Sequence, residues 1–212
     1  TLMAASPTIL IGLMGYEGFD GSTLRSLRLC FSGSSALSAD TLQQWEAATG
    51  CVVAEGYGQS EAGPVLTFNP GAGLRKPGSV GCAVPLTDIE IVDVSTGKER
   101  MQNGEAGEIR ARGPQIMLGY RNRLAETAEA LRDGWLYTGD IGSMDVDGYL
   151  TILDRKKEMA IVSGFNVYPR EVEDVLYAHP AVTEAAVVSR PDDYRGERLI
   201  AYVVCKERRA ST

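Results

Sequence analysis

One short segment combines the residue types that a nucleotide-binding site needs. Residues 56–61 read GYGQSE and follow an apolar run at 51–54 that predicts a buried strand. The segment offers an aromatic ring (Tyr57), a hydroxyl (Ser60) and a carboxylate (Glu61), with two glycines that allow close backbone approach. In open parallel sheets the ligand crevice lies beyond the carboxyl ends of the strands. Stacking on a base, contact with phosphate and ligation of magnesium are the chemistry that such a segment supports.

Taken alone, this segment is also explained by a simpler structure. It does not extend to GxGxxG, and the chain contains no GxxxxGK[ST] motif, so both common nucleotide-binding loops are absent from the sequence. The spacing by itself favours a glycine-rich turn that carries a solvated acid.

Three other charged segments invite a functional interpretation. Asp140 ends the aromatic-rich segment WLYTGD, which predicts a strand, and could accept both hydroxyls of a ribose; a turn aspartate is an equal alternative. Arg155 begins a basic trio that is equally compatible with a solvated charge cluster. Residues 145–148 (DVDG) resemble the start of a calcium loop, but Lys156 occupies the twelfth position, where an acid is required, so we predict a β-turn.

Composition excludes several classes of protein. A net charge of −7, with both signs interspersed, is a poor match for nucleic acid. Four cysteines without a CxxC pair and a single histidine, His179, argue against a zinc or redox site, and we expect buried thiols in a reducing compartment. His179 precedes a proline and is expected to close a helix. No apolar run has membrane-spanning length and no signal peptide is visible, so we expect a cytoplasmic protein.

The first third of the chain predicts half of a parallel α/β layer. Residues 2–14 predict a turn and a short buried helix, and residues 27–31 predict a strand. Ser38 is expected to cap a helix that Gly50 ends, before the strand at 51–54.

The rest of the chain predicts a β-rich unit and then a small α+β unit. After Pro77, short alternating runs predict antiparallel strands, interrupted by a helix near 124–131. Beyond a charged break at 154–157, we predict a helix that opens at Pro169 and three strands. The strands so predicted lie at 89–94, 107–111 and 149–153, and then at 159–162, 182–188 and 199–204.

Together, the ordered motifs resemble those of the adenylate-forming superfamily of acyl-CoA synthetases, luciferases and peptide-synthetase adenylation domains. The motifs are GYGQSE (56–61), KPGSVG (76–81), GEI (107–109), GY (119–120), DGW (133–135), TGD (138–140), DRKK (154–157) and SGFNVYP (163–169) with Glu171 and Glu173. They run nearly end to end. The stretch from DRKKE to VSGFNVYP is most similar to medium- or long-chain fatty-acid–CoA ligases.

The resemblance implies an α/β plus α+β fold in three parts. Residues 1–75 would be the end of a large N-terminal α/β adenylate-forming domain, and residues 76–154 a small distorted β-barrel subdomain. Residues 155–212 would be part of a small α+β C-terminal lid domain that follows the hinge.

The resemblance also implies a role for each matching residue. Tyr57 would stack on adenine beside Gly58, Ser60 would touch phosphate, and Glu61 would ligate magnesium. The catalytic set would be Ser60, Glu61 and Lys157, the last as the hinge between two half-reactions. The cofactor-binding set would add Ser34, Ser35 and Ala36 at the adenine edge, Asp140 and Arg155 on the ribose, and Gly164 beside the pantetheine tunnel.

The implied reaction uses ATP, Mg²⁺ and CoA to convert a carboxylic acid into its CoA thioester through an acyl-adenylate. The resemblance implies that this acid is a fatty acid. The superfamily's phosphate loop is expected upstream of Thr1 and its adenylation lysine beyond Thr212. We therefore expect a truncated chain that releases no pyrophosphate by itself; pyrophosphate release with ATP, magnesium and fatty acids would contradict this.

Two alternatives remain at this level. One is an aryl- or short-chain acyl-CoA ligase. The other is a non-catalytic adenylate-binding or docking module, against which the combination of Glu61, Asp140 and Arg155 argues. The acyl chain length, the acceptor (CoA or a carrier-protein thiol) and the oligomeric state, including a homodimer, are left open.

Overall fold

The first of three sheets combines parallel and antiparallel strands. A computed structural model describes residues 1–35 and 37–205 of the chain. The elements of the first sheet and its helices are β1 (Leu2–Ala5), α1 (Pro7–Met14), β2 (Leu29–Ser32), α2 (Ala39–Thr49), β3 (Val53–Tyr57), β4 (Thr67–Phe68) and β5 (Cys82–Ala83). Strands β2 and β3 are parallel, as predicted, β1 adds a further parallel strand that was not predicted, and β4 and β5 add antiparallel pairs. The prediction of a turn before α1 was wrong, because Leu2–Ala5 pairs with β2 instead.

The caps of α2 are those that the sequence predicts. The Ser38 hydroxyl accepts a hydrogen bond from the Thr41 amide at 3.1 Å, and Gly50 ends the helix with a φ of 67°. The helix buries Trp45 completely, in a core that it shares with Leu10 and other apolar residues. This core holds the sheet whose strands lead to the GYGQSE segment.

Strand β3 begins and ends later than the sequence suggests. Its observed range is Val53–Tyr57, so that Gly56 and Tyr57 belong to the strand rather than to the following loop. Gly56 pairs with Phe68 and Tyr57 with Thr67 on β4. The backbone at Tyr57 is therefore held by a sheet and not by a turn.

The second sheet is antiparallel throughout. Its elements are β6 (Asp88–Val92), β7 (Gly107–Arg112), α3 (Leu124–Ala130), β8 (Leu131–Arg132), β9 (Trp135–Met144) and β10 (Leu150–Arg155), in the spatial order β10-β9-β7-β6, with β8 beside β9. The prediction that Asp140 ends a strand was wrong. Because β9 pairs with β7 on one side and β10 on the other, it continues past Gly139 for five more residues, to Met144.

The third sheet lies at the carboxyl end of the described chain. Its elements are β11 (Ala160–Val162), β12 (Phe165–Val167), α4 (Pro169–Tyr177), β13 (Val182–Asp192) and β14 (Gly196–Cys205), in the order β12-β11-β14-β13. Pro169 opens α4 as predicted, whereas β12 was not predicted. Glu173 of α4 ties the helix to the sheet by accepting a hydrogen bond from the Val187 amide at 2.7 Å.

Two sequence-based expectations about side chains have mixed outcomes. His179 lies just beyond α4 and its amide bonds to the Leu176 carbonyl, as a helix end requires. Cys30 and Cys51 are buried, and burial raises the pKa of Cys30 to about 11. The expectation of four buried thiols was wrong, because Cys205 is exposed on the last described strand.

No helix in the described part of the chain is long and apolar enough to cross a membrane.

Candidate functional site

Two residues that lie 83 positions apart meet where the first and second sheets join. The hydroxyl of Tyr57, at the end of β3, donates a hydrogen bond of 2.6 Å to Asp140 Oδ2, in β9. The backbone groups of Val80 and Gly81 also bond to both sides of Leu150, at the other end of β10. The fold thus assembles an aromatic ring and a carboxylate at one place.

The electrostatic surroundings of this pair determine which partner donates. Burial raises the pKa of Asp140, while the Tyr57 hydrogen bond and the charge of Arg155 lower it in part. Glu158 and Glu108 act in the same direction as burial. Burial and the adjacent Asp140 also raise the pKa of Tyr57, so that the phenol keeps its proton and acts as the donor.

Arg155 is the third member of this group. It ends β10 directly opposite Asp140 in the strand register, and its Nε lies 3.9 Å from Asp140 Oδ1. Most of the guanidinium side chain, 62%, is exposed. One carboxylate oxygen therefore holds Tyr57 while the other faces a solvent-accessible cation. Such a cation and acceptor side by side can hold a polyhydroxylated ligand.

Gly58 and Ser60 lie directly after β3. A Cβ at Gly58 would collide with the carbonyl oxygen of Pro64, so the glycine is required by the chain packing on itself. Ser60 begins a single turn of 3-10 helix, Ser60–Ala62, and its side chain is exposed. The hydroxyl is therefore accessible next to Tyr57 in the chain.

Glu61 is held by a partner that the sequence did not reveal. Its Oε1 accepts a hydrogen bond of 2.8 Å from the Tyr120 hydroxyl, and its carbonyl oxygen accepts one from the Met117 amide. Tyr120 belongs to the GY motif at 119–120, in which no role was predicted for the tyrosine ring. Its contact with Glu61 spans 59 positions, and no local pattern reports such a contact.

The described residues suit a magnesium ion that is shared with a substrate. Within residues 1–35 and 37–205, no group of three or more His, Cys, Asp or Glu side chains could hold a metal ion. Magnesium commonly binds through one or two carboxylates together with substrate phosphates. The single carboxylate of Glu61 fits that pattern of ligation.

The loop after β2 runs beside the loop after β3. Because β2 and β3 are parallel neighbours, their carboxyl ends lie at the same edge of the sheet. Ser34 has a φ of 73° and is exposed together with Ser35, while Gly33 packs against the Gly56 carbonyl. Ala36 lies outside the described residues.

Lys157 and Gly164 are not part of the Tyr57 group. Lys157 is exposed in the turn after β10, and its Nζ lies 4.0 Å from Glu158 Oε1. Gly164 occupies the turn between β11 and β12 with a φ of 86°, in open space. Both belong to the part of the chain that leads into and forms the third sheet.

Two lysines form ion pairs with residues that the sequence did not connect to them. The segment 145–148 is the turn between β9 and β10, as predicted, and Lys76 Nζ lies 2.5 Å from Asp145 Oδ2 and 2.7 Å from Asp147 Oδ2. A lysine thus neutralises the two acids of the calcium-like sequence. The second lysine, Lys156, pairs with Glu108, with 2.7 Å between Nζ and Oε2.

Comparison with known proteins identifies relatives for both ends of the chain. The family model described as AMP-binding enzyme matches residues 1–121, and the one described as AMP-binding enzyme C-terminal domain matches residues 171–212. A long-chain-fatty-acid–CoA ligase of Bacillus subtilis is 49% identical over 207 residues, which cover 98% of this chain. The chain spans 37% of the length of that relative.

Solved structures match over the whole chain. ATP-bound MatB from Rhodopseudomonas palustris has a TM-score of 0.91 and 38% identity, covering 100% of this chain and 42% of that one. The apo structure of the same protein has equal identity and coverage but a TM-score of 0.79. The two structures of that protein therefore differ in arrangement, and this chain is more similar to the ATP-bound one.

Proposed function

This chain belongs to the AMP-binding enzyme family, and we propose that the whole protein is an AMP-forming acyl-CoA ligase that acts on a medium- or long-chain fatty acid. The 49% identity to a long-chain-fatty-acid–CoA ligase supports this choice of substrate. The observation that carries the proposal is the convergence of Tyr57, Asp140 and Arg155 from three separate strands.

In this proposal the Tyr57 group receives the nucleoside. The Tyr57 ring stacks on adenine, with Gly58 beside it and Ser34, Ser35 and Ala36 along the adenine edge. Asp140 accepts hydrogen bonds from the ribose hydroxyls and Arg155 donates to the ribose. The short hydrogen bond from Tyr57 keeps the Asp140 carboxylate in position for that contact.

Ser60 and Glu61 act on the phosphates. The Ser60 hydroxyl donates to a phosphate oxygen, and Glu61 ligates the magnesium ion that ATP carries. When bound, the ion neutralises charge that develops on the phosphates. Tyr120 holds the Glu61 carboxylate through its hydrogen bond of 2.8 Å.

The reaction consists of two transfers. In the first, a carboxylate oxygen of the acid attacks the α-phosphorus of ATP and pyrophosphate leaves, which gives acyl-AMP. In the second, the CoA sulfur attacks the acyl carbon, the C–O bond to AMP breaks, and the thiol proton is lost to solvent. A carboxylate is a poor electrophile, so the mixed anhydride supplies the leaving group that the second step needs.

The three proposed units follow the three sheets except at two strands: β5 of the first sheet lies in the second unit, and Arg155, the last residue of β10, lies in the third. Residues 1–75 form the end of the large α/β domain, residues 76–154 the distorted β-barrel subdomain, and residues 155–212 part of the lid. Lys157 is the hinge between the second and third units, and Gly164 approaches the pantetheine tunnel during thioester formation. The different TM-scores of the two MatB structures support such a change of arrangement.

The test is a pair of assays on the full-length protein with acids of increasing chain length. Pyrophosphate release reports adenylation, and thioester formation with CoA reports the second transfer. We expect both with long-chain acids. Preference for aryl or short acids would replace the substrate class, and AMP binding without pyrophosphate release from any acid would favour the non-catalytic module.

A further inference from the structure

The turn after β10 is paired with a buried charge on β7 that the proposed reaction does not use. Only 4% of the Glu108 side chain is exposed, and its Oε2 lies 2.7 Å from Lys156 Nζ. A carboxylate at this depth is costly unless it is paired and hydrogen-bonded. Lys156 is therefore strongly held to β7, the strand that carries Glu108.

The backbone at Lys156 is held as well. Its amide donates a hydrogen bond of 2.8 Å to the Gly139 carbonyl on β9. The preceding residue, Arg155, is still in register with Asp140 on the same strand. Lys156 is thus attached to the second sheet through both its backbone and its side chain.

In the described chain, the next residue, Lys157, has no such attachment of its own. The Lys157 side chain is 72% exposed, and in residues 1–35 and 37–205 no hydrogen bond involves its backbone. Beyond it, the Arg170 amide of α4 donates a hydrogen bond to Asp154 Oδ2 at 3.2 Å. This distance is longer than the 2.7 Å between Lys156 Nζ and Glu108 Oε2.

The amides of Glu158 and Met159 bond back to the Arg155 carbonyl at 2.9 and 3.1 Å, so Lys157 is the residue of this turn without a hydrogen bond among the described residues. It stands at the position proposed above as the hinge, and we take it as the pivot.

We propose that the Glu108–Lys156 ion pair is a latch that fixes the amino-terminal side of this pivot and confines rotation to residue 157 onward. The inference rests on the proposed function, in which the lid moves between two half-reactions. Glu108 and Lys156 are positioning residues: they hold the turn, while other residues touch the nucleotide.

The latch is also connected to the nucleotide side of the site. Glu108 is one of the groups that raise the pKa of Asp140, after burial. Loss of Lys156 would leave the buried Glu108 charge uncompensated near that carboxylate. The same change would therefore loosen the turn and disturb the proposed ribose contact, which links lid position to nucleotide binding.

Hydrogen exchange on the full-length protein tests the latch directly. In the wild type we expect slow exchange at the Lys156 amide and fast exchange at Lys157. In Lys156→Met, exchange at position 156 should accelerate roughly tenfold to hundredfold, since a charge-assisted contact is lost. Lys156→Arg should restore protection, and Lys98→Met, which removes an exposed lysine from another turn, should leave it unchanged.

A kinetic comparison separates a latch from a merely structural contact. The ratio of the adenylation rate to the thioester-forming rate should shift roughly twofold to thirtyfold in Lys156→Met, with recovery in Lys156→Arg. If Lys156→Met does not fold, the double variant Glu108→Gln/Lys156→Met removes both charges. Hydrogen exchange and the rate ratio are then measured on that variant.

Each outcome decides between the proposals. Unchanged exchange at position 156 overturns the latch, and so does faster exchange with an unchanged rate ratio in an active enzyme. If the wild type releases no pyrophosphate with any acid, the proposed function fails instead. In that case, the difference in hydrogen exchange between the Lys156 and Lys157 amides still tests the latch.

Discussion

The second and third sheets differ in how deeply their strands are buried. In β7, Ile109 and Ala111 are inaccessible to solvent, whereas Tyr202, Val203 and Val204 of β14 are all exposed. The residues proposed to hold the ribose lie on the buried sheet, and Gly164 lies on the exposed one. This contrast indicates that the proposed ribose contacts are built on a well-packed scaffold.

The largest expected effect comes from shortening one side chain in the core and comparing it with one at the surface. Leu136→Ala, at a fully buried position of β9, should lower the free energy of unfolding by about 2–5 kcal/mol because it leaves a cavity. Val204→Ala on β14 should cost less than about 1 kcal/mol. Urea unfolding measures both, and equal losses would contradict the contrast.

Removal of the shared carboxylate should have the next largest effect. Asp140→Ala should raise the KM for ATP about 10- to 100-fold in the full-length protein, because a charged hydrogen-bond acceptor is lost. Asp174→Ala removes an exposed acid of α4 and is the matched control. A similar rise in the control would remove Asp140 from the proposed ribose site.

A smaller effect is expected from the phenol that positions this carboxylate. Tyr57→Phe keeps the ring that is proposed to stack on adenine and removes the 2.6 Å hydrogen bond. We expect the KM for ATP to rise about 3- to 10-fold, the scale of one ordinary hydrogen bond. Tyr202→Phe, at an exposed position on β14, should leave the KM unchanged. A loss as large as that of Asp140→Ala would mean that the hydroxyl contacts the nucleotide itself.

The smallest effect concerns the pH dependence of stability. Since burial raises the pKa of Asp140, the native state binds its proton more tightly than the unfolded state, and ionisation lowers stability as pH rises through that window. Asp140→Asn should therefore be more stable than the wild type at neutral pH. The difference should disappear below the ordinary aspartate pKa of 3.8. Unfolding curves across this pH range measure it, and a variant that is less stable at pH 7 would contradict the sign.

Local sequence signals predicted the helix ends that are set by neighbouring residues. Ser38 and Gly50 delimit α2, and Pro169 opens α4, because capping and proline geometry depend on neighbouring residues alone. Strand β1 was missed because a four-residue apolar run becomes a strand only when β2 lies beside it. Strand β9 was predicted too short because Gly139, with a φ of 73°, resembles a break that pairing with two neighbouring strands overrides.

The family and the order of its motifs follow from residue types and their spacing alone. The sequence also supplied the candidates Tyr57, Asp140 and Arg155, whose roles stay predictions. Three contacts are visible only in the folded chain: the Tyr57 hydroxyl with Asp140, Tyr120 with Glu61, and Glu108 with Lys156. The physical reason is that each contact joins distant segments, and its partner is selected by sheet pairing and burial rather than by neighbouring residues.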